Sequence, residues 1–139
     1  MYKRQYFAYA EQHLRILSGL YGILEPFDGV VPYRLELDSP FHTPFCTSLY
    51  DFWGSKPYQR LIEEDKHILD LSSKQYGKLI KRHLDHRVHC VSVFFLEEED
   101  GQRREKGVYV KMARGEMVRW LAAVSYTHLD VYKRQRNSR

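Results

Sequence analysis

Apolar residues recur at spacings of three and four at Phe7, Ala10, Leu14, Leu17 and Tyr21, which predicts an amphipathic helix over about residues 7–18. Glu11, Gln12 and Arg15 fall off that stripe, and Gly19 stands where a C-cap would end it. Gly19-Leu20-Tyr21-Gly22 then reads as a tight turn with two permissive positions. Pro26 disfavours helix at Glu25, and Asp28-Gly29 signals a further turn. The period changes to two at Val31, Tyr33, Leu35 and Leu37, alternating with Pro32, Arg34 and Glu36. That alternation predicts a strand, and its early proline predicts an edge or a strand start.

The rest of the chain continues to mix the two periods. Asp38–Pro44 reads as loop, and Thr47 or Ser48 can cap a short helix through Trp53. Gly54 stops it, and Pro57 restarts a helix over Tyr58–Glu64. His67–Leu71 predicts a short strand. Ser72 caps a helix running to about Leu84, with Tyr76, Leu79, Ile80 and His83 inward and Lys74, Lys78, Lys81 and Arg82 elsewhere. Val88–Leu96 is β-branched and aromatic and predicts a strand, followed by a turn with Asp100-Gly101 at its tip. Arg103–Lys106 is too charged for a central strand. Helical periodicity returns from Val108 to Ala123. Strands and helices alternate without a uniform βαβ period, and no linker divides the chain. The expected class is α+β, a mixed sheet with flanking helices in one domain.

Net charge is +4, but its placement changes what it means. Tyr2-Lys3-Arg4-Gln5 recurs as Tyr132-Lys133-Arg134-Gln135 at the opposite end with nothing related between, so it is no structural repeat. Ser125–Gln135, SYTHLDVYKRQ, resembles translated adaptor read-through, and such segments are set aside from fold reasoning. Residues 1–5 and 125–139 are therefore expected to be extensions, with 125–139 outside the core, and residues 6–124 to form the domain. Residues 6–124 hold 16 Lys and Arg against 17 Asp and Glu, so a nucleic-acid reading rests on local clustering of cations. No apolar run approaches the ~20 residues that span a bilayer. Cys46 and Cys90 make no disulfide framework and read as reduced thiols.

Four constellations carry candidate chemistry. Leu14–Leu24, LRILSGLYGIL, read as helix, glycine turn and helix start, would present backbone N–H groups to a phosphate; the residues by themselves favour a C-cap followed by a turn. Arg34 beside Tyr33 suits bidentate phosphate binding or stacking, or an ion pair with Glu36. Lys111, Arg114 and Arg119 spread over about 140° of one helix side at about 100° per residue. Gly115 between them suits close approach of a ligand or a packed backbone. His83, His86, His89 and Cys90 have ligand types fit for zinc or iron but poor spacing, since Cys90 would point opposite to His89 on a strand. No nucleophile elbow or Walker loop is present, and Glu97–Asp100 reads as a solvated acidic run.

Gln12–Leu37, Ser48–Gly54 (SLYDFWG), Leu69–Ile80 (LDLSSKQYGKLI) and Val110–Trp120 (VKMARGEMVRW) follow one another in an order that resembles the YaaA peroxide stress response family over about residues 8–124. Family members are considerably longer, so the chain is expected to be an internal piece, missing sequence mainly before Tyr6 and less after Val124. The resemblance implies a bacterial cytosolic protein that responds to hydrogen peroxide and limits iron-dependent Fenton damage. It also implies a positively charged cleft, a helix–hairpin–helix-like element and DNA as partner, bound through the phosphate backbone. Arg15, Ser18, Gly19, Gly22, Tyr33, Arg34, Lys111 and Arg114 stand in the matching blocks and are the implied DNA- or anion-binding residues. No cofactor, resident metal or catalytic residue is expected. The alternative is an enzyme acting on a small phosphate- or carboxylate-bearing ligand in the same cleft.

Overall fold

The computed structural model describes the backbone of residues 2–137 and the side chains of residues 3–125. The class is α+β, with three separate two-stranded sheets. The chain divides into two compact units, one of residues 15–94 and one of residues 1–14 with 95–139.

In the first unit, β1 (Ile16–Ser18) and β2 (Gly22–Leu24) form an antiparallel hairpin. Residues 25–48 follow without helix or strand. The strand predicted over Val31–Leu37 does not form. Pro32 offers no N–H to a ladder, and side chains take neighbouring backbone donors instead: Val31 N–H donates to Tyr21 Oη at 3.1 Å and Glu36 N–H to Ser39 Oγ at 3.1 Å. The alternation serves a different end, since Leu35 and Leu37 turn into the core.

Helix α2 (Leu49–Trp53) starts at Ser48, whose hydroxyl accepts from Asp51 N–H at 3.1 Å, and stops at Gly54. Helix α3 (Lys56–Glu64) starts with Pro57 in its first turn. Strand β3 (His67–Asp70), helix α4 (Lys74–Lys81) and strand β4 (His89–Ser92) make a crossover unit with β3 and β4 parallel. The cap of α4 is Ser73, one residue beyond the predicted Ser72. Ser72 instead donates to Asp70 Oδ1, whose carboxylate also meets Lys81 Nζ at 2.6 Å. Burial pushes the Asp70 carboxyl up, but the Lys81 and Ser72 bonds outweigh it and hold the group below its ordinary value. Leu37, Leu49, Tyr50 and Leu79 are the buried core, packed on by Leu35, Phe41, Trp53 and Tyr76.

In the second unit, helix α1 (Tyr2–His13) packs on helix α5 (Gly107–Asn137). The helix predicted over 7–18 is displaced: it takes in Tyr2–Gln5 and ends at His13, and Leu17 and Tyr21 belong to the hairpin. Strands β5 (Glu97–Glu99) and β6 (Gln102–Arg104) pair Glu97 with Arg104 and Glu98 with Arg103. The predicted Asp100-Gly101 tip has both residues at positive φ, 52° and 72°, the combination that matches hairpin twist. The expectation that Ser125–Arg139 stands outside the core falls largely on side chains beyond the described residues.

Candidate functional site

The glycine bend carries the first group of predicted residues, and its geometry is a hairpin rather than helix–turn–helix. Ile23 N–H donates to Tyr21 O at 3.0 Å, closing a tight turn over Gly22 at φ +76°, a left-handed value that disfavours a side chain. A Cβ on Gly22 would lie 2.9 Å from the Trp53 ring, and one on Gly19 would lie 2.5 Å from Leu35 O. Ser18 is 2% exposed; its hydroxyl accepts from Tyr21 N–H at 3.0 Å and bonds Tyr33 Oη. Trp53 Nε1 donates to Gly19 O at 2.9 Å, and Tyr21 meets Tyr33 edge to face at 5.7 Å. Ser18, Gly19, Gly22 and Tyr33 thus come together, but as an internal clamp on the hairpin. The helix–hairpin–helix expectation is corrected here: two close-packed glycines and a serine capturing the turn's own N–H favour a hairpin.

The predicted cations divide. Arg15 Nη2 stands 2.6 Å from Glu64, which also holds Arg60 at 3.0 Å, and Arg60 reaches Glu25 at 3.5 Å. Arg34 is exposed beside Tyr33 and forms no ion pair among the described residues. Lys111 and Arg114 lie on α5 in the other unit, Lys111 exposed and Arg114 half-buried, with its Nε enclosed and unbonded among the described residues. Among the described residues no atom comes within 4 Å of a Cβ built on Gly115, so no packed backbone approaches it.

The first unit carries an open hollow of about 590 Å³ between the Leu37–Phe41 loop, α2 and α4, which the sequence reading did not single out. Its polar lining includes Asp38, Tyr50, Asp51, Lys78 and Arg82. Tyr50 Oη lies 2.9 Å from both Asp38 Oδ1 and Gln75 O, where its one proton is shared between two acceptors. Burial and the adjacent Asp38 carboxylate push the phenol up to about 12. Lys78 Nζ stands 4.6 Å over the Tyr50 ring, a cation–π contact. Arg82 approaches Asp51 at 3.6 Å. Bonds from the Thr47 and Ser48 hydroxyls, with Arg82 beyond them, hold the Asp51 carboxyl below its usual range. Lys74, Lys78 and Arg82 are exposed and spaced by four, so they follow one side of α4 and its C-cap. That spacing was the signal available in the sequence.

The histidine constellation does not assemble. His83 stacks on buried Tyr58 at 6.3 Å, and His89 faces His67 across β4 and β3. Cys90 takes the opposite, more covered side of its strand, where burial raises the thiol. Among the described residues no group of three or more His, Cys, Asp or Glu side chains is placed to hold a metal ion. No helix among them is long and apolar enough to cross a membrane.

Comparison with known proteins agrees with the family resemblance of the sequence blocks. The family model described as "Peroxide stress protein YaaA" matches residues 1–138. A UPF0246 protein of Desulfitobacterium hafniense is 51% identical over 133 residues, 96% of this chain and 53% of that protein. A UPF0246 protein of Lactobacillus delbrueckii subsp. bulgaricus is 51% identical over 114 residues, 82% of this chain and 46% of its own length. One of Agathobacter rectalis is 38% identical over 134 residues, 96% of this chain and 54% of its own. The chain therefore spans about half the length of the curated relatives it matches. With the family model matched over nearly every residue, the chain belongs to the YaaA family of peroxide stress proteins.

Proposed function

We propose that the chain serves the peroxide stress response of its family as a cytosolic DNA-binding protein that holds the phosphate backbone with little sequence preference and so limits Fenton damage. The observation that carries this reading is the line of Lys74, Lys78 and Arg82 along α4, above an open hollow. Exposed cations with at most long or aromatic partners exchange them for phosphate at small cost. Arg34 and Lys111, exposed on their own elements, are further phosphate contacts in this reading. Arg15 is not a free contact, because Glu64 occupies its guanidinium. The glycine bend supports the scaffold and does not itself grip phosphate.

The second reading, an enzyme for a small phosphate- or carboxylate-bearing ligand, is favoured by the volume of the hollow and by Tyr50 and Asp38 inside it. Acid–base work wants groups tuned toward neutrality. The shifts here run the other way: Asp51 moves down and Tyr50 up. Binding is therefore the better-supported role.

Fluorescence anisotropy with a duplex oligonucleotide across a salt series tests the proposal. Backbone binding predicts a linear fall of log affinity with log salt, and each of Lys74→Ala, Lys78→Ala and Arg82→Ala is expected to lower the slope by about 1. A flat salt response, or no loss in the triple variant, refutes it. Tight binding of inorganic phosphate that a duplex does not displace would support the second reading instead.

A further inference from the structure

On the face of the β3–β4 pair, away from the hollow's lining, two imidazoles meet. His67 and His89 open their strands and stand directly opposite in the parallel register. Both strands alternate exposed and half-buried positions from those residues, so both rings project on the more open side. The ring centroids are 6.1 Å apart, with planes inclined at 53°. His67 Nδ1 lies 3.1 Å from Asp65 Oδ1. An ionised carboxylate only accepts, so the ring proton belongs on Nδ1 and the Nε2 lone pair is left for another partner. Asp65 is fixed in that position, because it also accepts the His67 backbone N–H at 2.9 Å.

We infer that His67 and His89 form a two-imidazole chelate for a divalent transition-metal ion of the Cu²⁺, Ni²⁺ or Zn²⁺ class, with water in the remaining positions. Imidazole nitrogen suits these ions, whereas Mg²⁺ and Ca²⁺ require oxygen donors. Metal–nitrogen bonds of about 2.0–2.1 Å place two ring centroids about 5 Å apart at a tetrahedral centre. Reaching that separation from 6.1 Å takes a closure of about 1 Å, within the range of side-chain rotation. The His67 side chain is 80% exposed, so little packing opposes the movement. Asp65 behind the His67 ring supplies the outer carboxylate that orients a ligating imidazole. The site uses residues outside the cation line of α4 and does not depend on DNA binding.

Titration of the full chain with Cu²⁺, the strongest binder of the series, followed by electron paramagnetic resonance, reads the site directly. One tightly held Cu²⁺ with hyperfine structure from two imidazole nitrogens is expected. His67→Ala and His89→Ala should each weaken binding at least tenfold. Asp65→Asn should weaken it several-fold, and His86→Ala should leave it unchanged. Mg²⁺ should neither compete nor raise the unfolding temperature, whereas Cu²⁺ should raise it in the unsubstituted chain and in His86→Ala but not in His67→Ala or His89→Ala. Should an alanine variant lose its far-UV circular dichroism spectrum, His67→Gln and His89→Gln replace it. Equal affinity in the unsubstituted and His67 or His89 variants overturns the inference, as does a single-imidazole spectrum in the unsubstituted chain.

Discussion

Gly22→Ala separates the structural use of the glycine bend from a phosphate-gripping one. The substitution places a side chain at φ +76°, with its Cβ 2.9 Å from the six-membered part of the Trp53 ring. The left-handed backbone costs about 1 kcal/mol for a non-glycine residue. Overpacking adds about 1–3 kcal/mol, because Trp53 is pinned by its bond to Gly19 O at 2.9 Å and cannot swing aside without losing it. A total of about 2–4 kcal/mol follows, a fall of about 1 M or more in the urea midpoint for a small protein. The assay is urea unfolding by far-UV circular dichroism, repeated in a Trp53→Phe background. The smaller ring withdraws the contacting atoms, so the same glycine substitution there should cost only the backbone share of about 1 kcal/mol. Equal losses in both backgrounds, or a loss below about 0.5 kcal/mol in the first, would refute the reasoning. Intact stability with lost DNA affinity would instead return the bend to a direct role in binding.

Two other substitutions test separate features. Tyr50 has its phenol raised from 10.0 to about 12 in the folded chain, so the fold retains a proton that the unfolded chain releases. Its stabilising contribution is complete below pH 10 and declines as pH rises toward 12, and Tyr50→Phe should flatten that part of the stability profile measured by urea midpoints. Gly115 lies inside α5 with open space where a Cβ would stand, so Gly115→Ala should stabilise by roughly 0.5–1 kcal/mol, read as a raised thermal midpoint; a loss would show an unrecognised packing contact.

The elements that the sequence foretold best have local causes. Ser48, Gly54 and Pro57 set the bounds of α2 and α3 through caps and a first-turn proline, all within a few residues of what they control. Asp100-Gly101 fixed its own turn through two positive φ values. The α1 stripe and the Val31–Leu37 alternation misled because periodicity specifies which side is apolar, not which partner will satisfy the backbone. Ile16–Ser18 found a neighbour in Gly22–Leu24, while Val31–Leu37 found side chains and a core. Four expected binding residues were visible as a sequence block, but their common use in clamping the hairpin depends on Trp53, 31 residues beyond Gly22 in the chain. The hollow needed tertiary information: Asp38, Tyr50 and Lys78 come from a loop and two helices.

The clamp and the hollow are physically linked within the first unit. Trp53 closes α2 and inserts its ring over Gly22, while Tyr50 and Asp51 of the same helix line the hollow. A helix of five residues has little stability of its own, so the burial of Leu49 and Tyr50, the hairpin contact and the Ser48 cap together decide its position. Moving Trp53 therefore displaces the wall on which Asp51 meets Arg82 and Tyr50 meets Lys78. On the proposed DNA-binding role, Ser18, Gly19, Gly22 and Tyr33 would bear on a phosphate only at one remove, through the helix that carries the acidic and aromatic partners of Arg82 and Lys78. Their substitution should weaken DNA binding only to the extent that it loosens α2, whereas loss of Lys78 or Arg82 should weaken it with the fold intact.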